Sequence, residues 1–278
     1  MQLLGRKKKN WKLIITISLI LIILPLSGCS ITNWFLWNDG DSGSKDTLPV
    51  KLETLIEMGE YSKLIYEKKD GGLAEKVVEE QYGVSQRGKK DVFSYYVNQD
   101  NGVTILVFRG TDNAQNVLTD IDARLFKDRE LDLRLHRGFR DAAEKLLDAI
   151  YDDGWLCKKN VCKIEHTVYL TGHSLGGAIA QIIGMWLHQK GHNVQIFTFG
   201  SPKVTTTFRF NEPRHWRVAF DSDPVPFLPP YPYVHSGIHI DPNNLDWNEN
   251  HKEESFLKID GLDHFIDDYL NRLKKHAL

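Results

Sequence analysis

The sequence predicts an α/β fold, a mostly parallel central sheet flanked by helices, on three observations. An apolar, β-rich run from Ile164 to Leu170 meets a glycine-pinched turn and passes straight into an apolar helix, Leu175 to Gln189, with Ile179, Ile182, Ile183 and Trp186 at helical spacing. Strand-like runs such as Val103–Phe108 and His215–Phe220 are separated by helical ones, the pattern that builds a sheet covered by helices. A chain of 278 residues that is 41% hydrophobic and 26% charged is long enough for one large domain with a buried core.

Taken in order, the chain opens with a basic run, Arg6 to Lys9, and an apolar stretch from Leu13 to Leu26, about the length of a signal-peptide core and short for a membrane span. The Leu26-Ser27-Gly28-Cys29 that follows resembles the lipobox of bacterial lipoproteins. That resemblance implies a signal peptide over residues 1–28 and a diacylated Cys29 as the mature N-terminus, holding an exported protein to the membrane of the cell envelope. An uncleaved N-terminal anchor is the alternative, and either puts the domain outside the cytoplasm. Residues 29–46 read as a flexible tether, Gly- and Ser-rich from Asn38 to Asp46, with Trp34-Phe35-Leu36-Trp37 suited to the headgroup zone of a bilayer. The domain is expected over residues 47–278.

The formal net charge is -2 and the only dense basic run is N-terminal, so no stripe tracks phosphates and nucleic acid is not an expected partner. In an oxidising compartment Cys157 and Cys162 read as a disulfide-closed loop between helix and strand. No further His or Cys at zinc-like spacing makes them a metal site, and none is predicted.

Within the domain, Leu52, Leu55 and Ile56, then Leu64 and Ile65 after Gly59, suggest amphipathic helices, and Leu73–Gln81 another ended by Gly83. Val92–Val97 reads as a strand, Asn98–Gly102 as a hairpin loop, and Val103–Phe108 as the returning strand. His136-Arg137-Gly138-Phe139 opens a helix carrying Ala142, Ala143, Leu146, Leu147 and Ile150.

The chemistry is carried by Gly172-His173-Ser174-Leu175-Gly176. In Gly-x-Ser-x-Gly at a strand-to-helix turn, the small residues let strand and helix approach while the turn lifts the serine hydroxyl clear as a nucleophile. A free hydroxyl is a poor nucleophile near pH 7, so the serine needs a histidine base, a carboxylate to orient it, and N–H donors for the oxyanion. One donor is the N–H after the nucleophile, that of Leu175. In the α/β-hydrolase fold the order is serine, acid, histidine, so both partners follow Ser174. Asp221 and Asp223 both qualify as an acid at a strand end, and His235, His239, His251, His264 and His276 all follow. His235 and His239, four apart in an alternating run, suit sheet packing better than a metal pair. His251 lies in a polar loop and His276 in the basic tail.

Phe108-Arg109-Gly110-Thr111, His136-Arg137-Gly138-Phe139, Gly172–Ala178, Thr198-Phe199-Gly200-Ser201-Pro202-Lys203-Val204 and Asp223-Pro224-Val225-Pro226-Phe227-Leu228-Pro229, in that order, resemble the class 3 lipase family across roughly Val92 to Tyr269. The resemblance implies an α/β-hydrolase domain with Ser174 as nucleophile, Asp223 as acid and His264 as base, the last from Asp263-His264 followed by an aromatic, Tyr269. It also implies Thr111 as the second oxyanion donor and a lid over residues 112–121, where Val117 replaces the family's usual aromatic after Asn116. The implied activity is hydrolysis of lipid esters without a cofactor, as in a triacylglycerol lipase. Phospholipase and small-ester esterase remain as alternatives within the same chemistry, and an inactive surface binding module outside it.

Overall fold

The computed structural model describes residues 42–66, 84–90, 93–100, 102–110, 123–158, 161–162, 167–207, 213–249 and 264–278. All lie in Asp39–Leu278, one of two units into which the chain divides. The strands are β1 (Ser42–Gly43), β2 (Val84–Lys90), β3 (Phe93–Asp100), β4 (Val103–Phe108), β5 (Leu125–Asp128), β6 (Leu133–His136), β7 (Cys157–Lys158), β8 (Val161–Cys162), β9 (Thr167–His173), β10 (Asn193–Phe199), β11 (Arg214–Val218), β12 (Ile238–Ile240) and β13 (Trp247–Asn248). The helices are α1 (Leu52–Leu64), α2 (Arg137–Asp152), α3 (Leu175–Gln189) and α4 (Ile266–Ala277).

Among the described residues, nine strands join in the order β1-β13-β12-β11-β10-β9-β4-β3-β2. The centre, β4-β9-β10-β11-β12, is parallel throughout. Antiparallel strands close both edges, β3 and β2 on one side, β13 and β1 on the other. This is the predicted mostly parallel sheet. Parallel strands are joined by crossovers that cover both faces, which is why β4 reads as the nearly unbroken apolar run Val-Thr-Ile-Leu-Val-Phe.

Alternation along β4 divides the core. Leu106 and Phe108 join Val168, Leu170, Val194 and Ile196 under α2 and α3, while Ile105 and Val107 join Phe197, Phe199, Trp216 and Val218 under α1 and α4. Helix α3 links β9 to β10 and is buried from Leu175 to Leu187. Lying between the sheet and α2, it is apolar nearly all round, as a central helix must be. Helix α2 is amphipathic by contrast: Phe139, Ala142, Ala143, Leu146, Leu147 and Ile150 form its buried stripe, and His136 caps it by accepting from the Phe139 N–H at 3.3 Å.

The structure departs from the sequence expectations at several places. Leu52–Leu64 is one helix rather than two, running through Gly59 because the missing side chain admits α4: a Cβ there would lie 2.8 Å from Leu270 Cδ2. Strand β3 runs on through residues expected in the hairpin loop, since Asn98 pairs with Ile105, Gln99 with Thr104 and Asp100 with Val103. Gly102, just before β4, sits at φ +80°, a backbone that favours glycine. Strand β9 is described from Thr167 and runs past Leu170 to His173, delivering the turn to Ser174, while residues 164–166 lie outside the described residues. Strand β2, Val-Ser-Gln-Arg-Gly-Lys-Lys, and strand β5, Leu-Phe-Lys-Asp, carry no apolar–polar alternation, and β6, Leu-Arg-Leu-His, alternates over only four residues. Residues read as the end of the tether also touch the domain: Ser42 pairs with Asn248 and Gly43 with Trp247, and Lys45 Nζ donates to the His276 carbonyl at 2.7 Å. The helix expected at Leu73–Gln81 lies outside the described residues.

Candidate active site

Ser174 stands between β9 and α3 with φ 56° and ψ -129°, a conformation rare for any residue with a side chain. Surroundings on both sides hold it there. Its N–H donates to the Phe199 carbonyl of β10 at 2.9 Å, and its own carbonyl accepts the Gly177 N–H at 2.9 Å, starting the helix. The motif glycines permit the approach: a Cβ on Gly172 would come within 2.8 Å of the Gly177 nitrogen, and one on Gly176 within 2.9 Å of the Arg109 carbonyl carbon and the Gly110 nitrogen. Leu175 is the first residue of α3, so its N–H belongs to the first turn, where amides have no acceptor within the helix.

Asp223 lies in the turn beyond β11 and is fully buried. Its Oδ1 accepts the Val225 N–H at 2.8 Å, a local bond that fixes the carboxylate plane. Its Oδ2 accepts from His264 Nδ1 at 2.7 Å and from Tyr269 Oη at 2.7 Å. Asp221, the other candidate acid, is only half-buried. His264 immediately precedes Phe265, the N-cap of α4, and its Nε2 is 3.0 Å from Ser174 Oγ. Because a carboxylate can only accept, the proton of neutral His264 sits on Nδ1 and Nε2 presents a lone pair to the serine hydroxyl. The arrangement can therefore take the hydroxyl proton and hold the resulting imidazolium against a buried carboxylate.

Three supporting side chains carry little or no signal of their role in the sequence. Tyr269 was noted only as an aromatic; its hydroxyl is a donor to Asp223, and burial, followed by the charge of Asp223, pushes its pKa well above the ordinary value, so it stays protonated. His173 sits beneath the His264 ring, centroids 4.7 Å apart, and Tyr66 follows α1 with its Oη 3.1 Å from His173 Nδ1. The only signal for His173 was its place beside the serine, and for Tyr66 there was none, because its partner is 107 residues away.

The other predicted residues fall as follows. His235 Nε2 donates to the Pro226 carbonyl at 2.6 Å, while His239 Nε2 donates to the Ala219 carbonyl at 3.0 Å from within β12. Each braces a different loop, so they do not form a pair. His276 Nε2 donates to the Pro242 carbonyl at 3.1 Å. Cys157 and Cys162 are directly opposed by the β7–β8 pairing, the backbone placement a disulfide needs. Among the described residues no group of three or more His, Cys, Asp or Glu is placed to hold a metal. Thr111, residues 112–121, His251 and Cys29 lie outside the described residues.

Buried neutral histidines make the fold sensitive to acid. Burial, and then the charge of a neighbour (His264 for the first, Arg217 for the others), lowers the pKa of His173, His215 and His239 to about 3 from an ordinary 6.5. The unfolded chain takes up these protons below pH ~6.5 while the folded chain does not, so stability falls as pH falls from about 6.5 toward 3. Each group contributes at most about 1.4 kcal/mol of loss per pH unit. Urea unfolding at pH 7 and pH 5 should show a clearly lower midpoint at pH 5, and replacing His215 by Gln should flatten that dependence; an unchanged midpoint would contradict the assignment of neutral buried histidines.

Comparison with known proteins agrees with this geometry. The class 3 lipase family model matches residues 105–233. A secreted mono- and diacylglycerol lipase of Fusarium solani is 31% identical over 154 residues, 51% of this chain and 45% of that protein. A lipase of Rhizopus niveus is 30% identical over 162 residues, 53% of this chain and 41% of that protein. The matches thus span less than half the length of those relatives. Among solved structures, lipase II from Rhizopus niveus superposes with a TM-score of 0.61 at 20% identity, covering 81% of this chain and 96% of that one. Lip2 lipase from Yarrowia lipolytica gives 0.58 at 17%, covering 84% and 96%. On these grounds the chain has the α/β-hydrolase fold, and its residues 105–233 match the class 3 lipases.

Proposed function

We propose that the protein is a serine ester hydrolase acting on lipid esters, in the manner of a triacylglycerol lipase. The observation that carries this reading is the continuous chain Ser174 Oγ, His264 Nε2, His264 Nδ1, Asp223 Oδ2, with spacings of 3.0 and 2.7 Å across the turns after β9 and β11 and the entry to α4. In it Ser174 attacks the acyl carbonyl and passes its proton to His264. Asp223 stabilises the imidazolium, and His264 returns the proton to the leaving alcohol. Water, activated by the same histidine, then releases the acid. The Leu175 N–H and the Thr111 N–H and hydroxyl receive the oxyanion. The relatives' identity as lipases supports a fatty-acyl ester as substrate. Hydrolysis of a triacylglycerol emulsion and of dissolved short-chain esters, each abolished by Ser174→Ala, is the expected result. Turnover of short esters alone would make the protein an esterase, and a Ser174 that no fluorophosphonate labels would make it a binding module.

The N-terminal sequence supports the further reading of an exported lipoprotein held at the cell envelope through lipid on Cys29. Cys29→Ala should move the protein out of the membrane fraction, and a mature chain that still begins at Met1 without added acyl mass would overturn this.

A further inference from the structure

The triad accounts for the ring of His264 but not for what holds its backbone, which lies just before α4 and outside any regular element. The His264 carbonyl faces a single described donor, His173 Nε2, at 2.6 Å. A carbonyl can only accept, so the His173 proton is on Nε2. Nδ1 then carries a lone pair that accepts from the Tyr66 hydroxyl at 3.1 Å, a shorter contact than the 3.5 Å from the same hydroxyl to the His173 carbonyl. Tautomer and ring orientation of His173 are thus both assigned by its partners.

The same hydroxyl occupies a junction. A side chain on Gly110, two residues past the end of β4 and directly before Thr111, would collide with Tyr66 Oη and with the His173 carbonyl, and its Cβ would lie 3.3 Å from the Ser174 Cβ. Arg109 lies over the Tyr66 ring, 5.3 Å from its centroid. Tyr66 therefore touches the strand end that leads to Thr111, and through His173 it reaches the segment bearing the base.

We propose that Tyr66 and His173 are positioning residues for the proposed ester hydrolysis, acting as a relay, Tyr66 O–H to His173 Nδ1 and His173 Nε2–H to the His264 carbonyl, that fixes the base against the nucleophile. This rests on the assignment of Ser174, Asp223 and His264 above. Burial keeps His173 neutral, its pKa pressed down to about 3. A neutral neighbour is what the site requires, because a second cation 4.7 Å from His264 would oppose the imidazolium that forms in the reaction. Neither side chain reaches the reacting atoms, so their loss should lower kcat and leave KM nearly unchanged.

The test compares full-length wild type, Tyr66→Phe, His173→Gln and His173→Leu for kcat and KM on a dissolved p-nitrophenyl ester, and for the rate of Ser174 phosphonylation by a fluorophosphonate. His173→Leu should lower kcat and the phosphonylation rate together by about ten- to a hundredfold, the scale of a misplaced catalytic group, with KM within about threefold. The Gln amide nitrogen can donate where Nε2 does, so His173→Gln should recover most of that loss. Tyr66→Phe, the mildest change, should lower both rates by about three- to tenfold with KM again held. The relay is wrong if Tyr66→Phe reacts at the wild-type rate, or if Gln and Leu at position 173 lose activity equally. A variant that melts lower yet is phosphonylated normally at a temperature where it is folded would make the role structural and overturn the proposal as well. Wild-type protein that fails to react at all would instead overturn the hydrolase reading on which the relay depends.

Discussion

Replacing Ser174 or His264 with alanine should lower kcat on any ester by on the order of 10⁴- to 10⁶-fold while leaving the protein folded, and the double variant should be no worse than the poorer single one. The hydroxyl without its base is an unreactive alcohol, and the base without its hydroxyl has nothing to deprotonate in the acylation step. Asp223→Asn should cost about 10⁴-fold for a different reason. The amide can present its NH₂ to His264 Nδ1, which reverses the tautomer and leaves Nε2 protonated toward Ser174. Tyr269, which donates to the same carboxylate oxygen at 2.7 Å, cannot restore the tautomer. Steady-state kinetics on a dissolved ester, with circular dichroism to verify folding, measures all four proteins. A His264→Ala enzyme with near wild-type kcat would transfer the role to another histidine.

Gly176→Ala should be the most damaging single methyl group in the domain, lowering stability by about 3 kcal/mol or more. A Cβ there is directed at the backbone of Phe108, Arg109 and Gly110, so no side chain can rotate aside to admit it. The strand end and the first turn of α3 would have to separate, and with them the Ser174 N–H bond to Phe199. Gly172→Ala strikes the same first turn of α3 from β9 instead, at the backbone of Gly176 and Gly177. The two effects should be less than additive, since both are relieved by displacing the same first turn of α3. Urea denaturation of the two singles and the double at pH 7 tests this. A Gly176→Ala protein with the wild-type midpoint would mean that strand and helix do not approach as closely as described.

The parts of this protein that could be read from its sequence are those whose cause is local. Helix α3 was delimited at Leu175–Gln189 because its apolar run is continuous and a glycine-rich turn begins it. The buried stripe of α2 could be listed residue by residue because a period of three to four is a property of the helix itself. Ser174 was found for the same reason: an exposed serine hydroxyl at a strand-to-helix turn needs small residues two positions away, and both are present. Where local signal was thin, the reading slipped. Gly59 looked like a break between helices, yet its bare Cα is a contact point for Leu270, more than two hundred positions later. The β5–β6 hairpin is not legible because β5 does not alternate and the alternation of β6 lasts only four residues.

The acid and the histidine show the boundary most directly. Asp221 and Asp223 are equally plausible by composition, and five histidines follow them; resemblance could select among them, but propensity and spacing could not. Their roles depend on which side chain reaches which, and that is a matter of strand order. Because β9, β10 and β11 lie side by side in parallel, their C-terminal ends bring the turns at Ser174, Gly200 and Asp223 to one edge of the sheet, where the entry to α4 meets them. The sequence alone determined the nucleophile's turn, its helix and the α/β class, since each is written in neighbouring residues. Only the tertiary structure decided that Asp223 is the acid within reach of His264, and that Tyr66, His173 and Tyr269 surround the pair, because hydrogen bonds between residues 41 to 107 positions apart exist only once the sheet has brought them together.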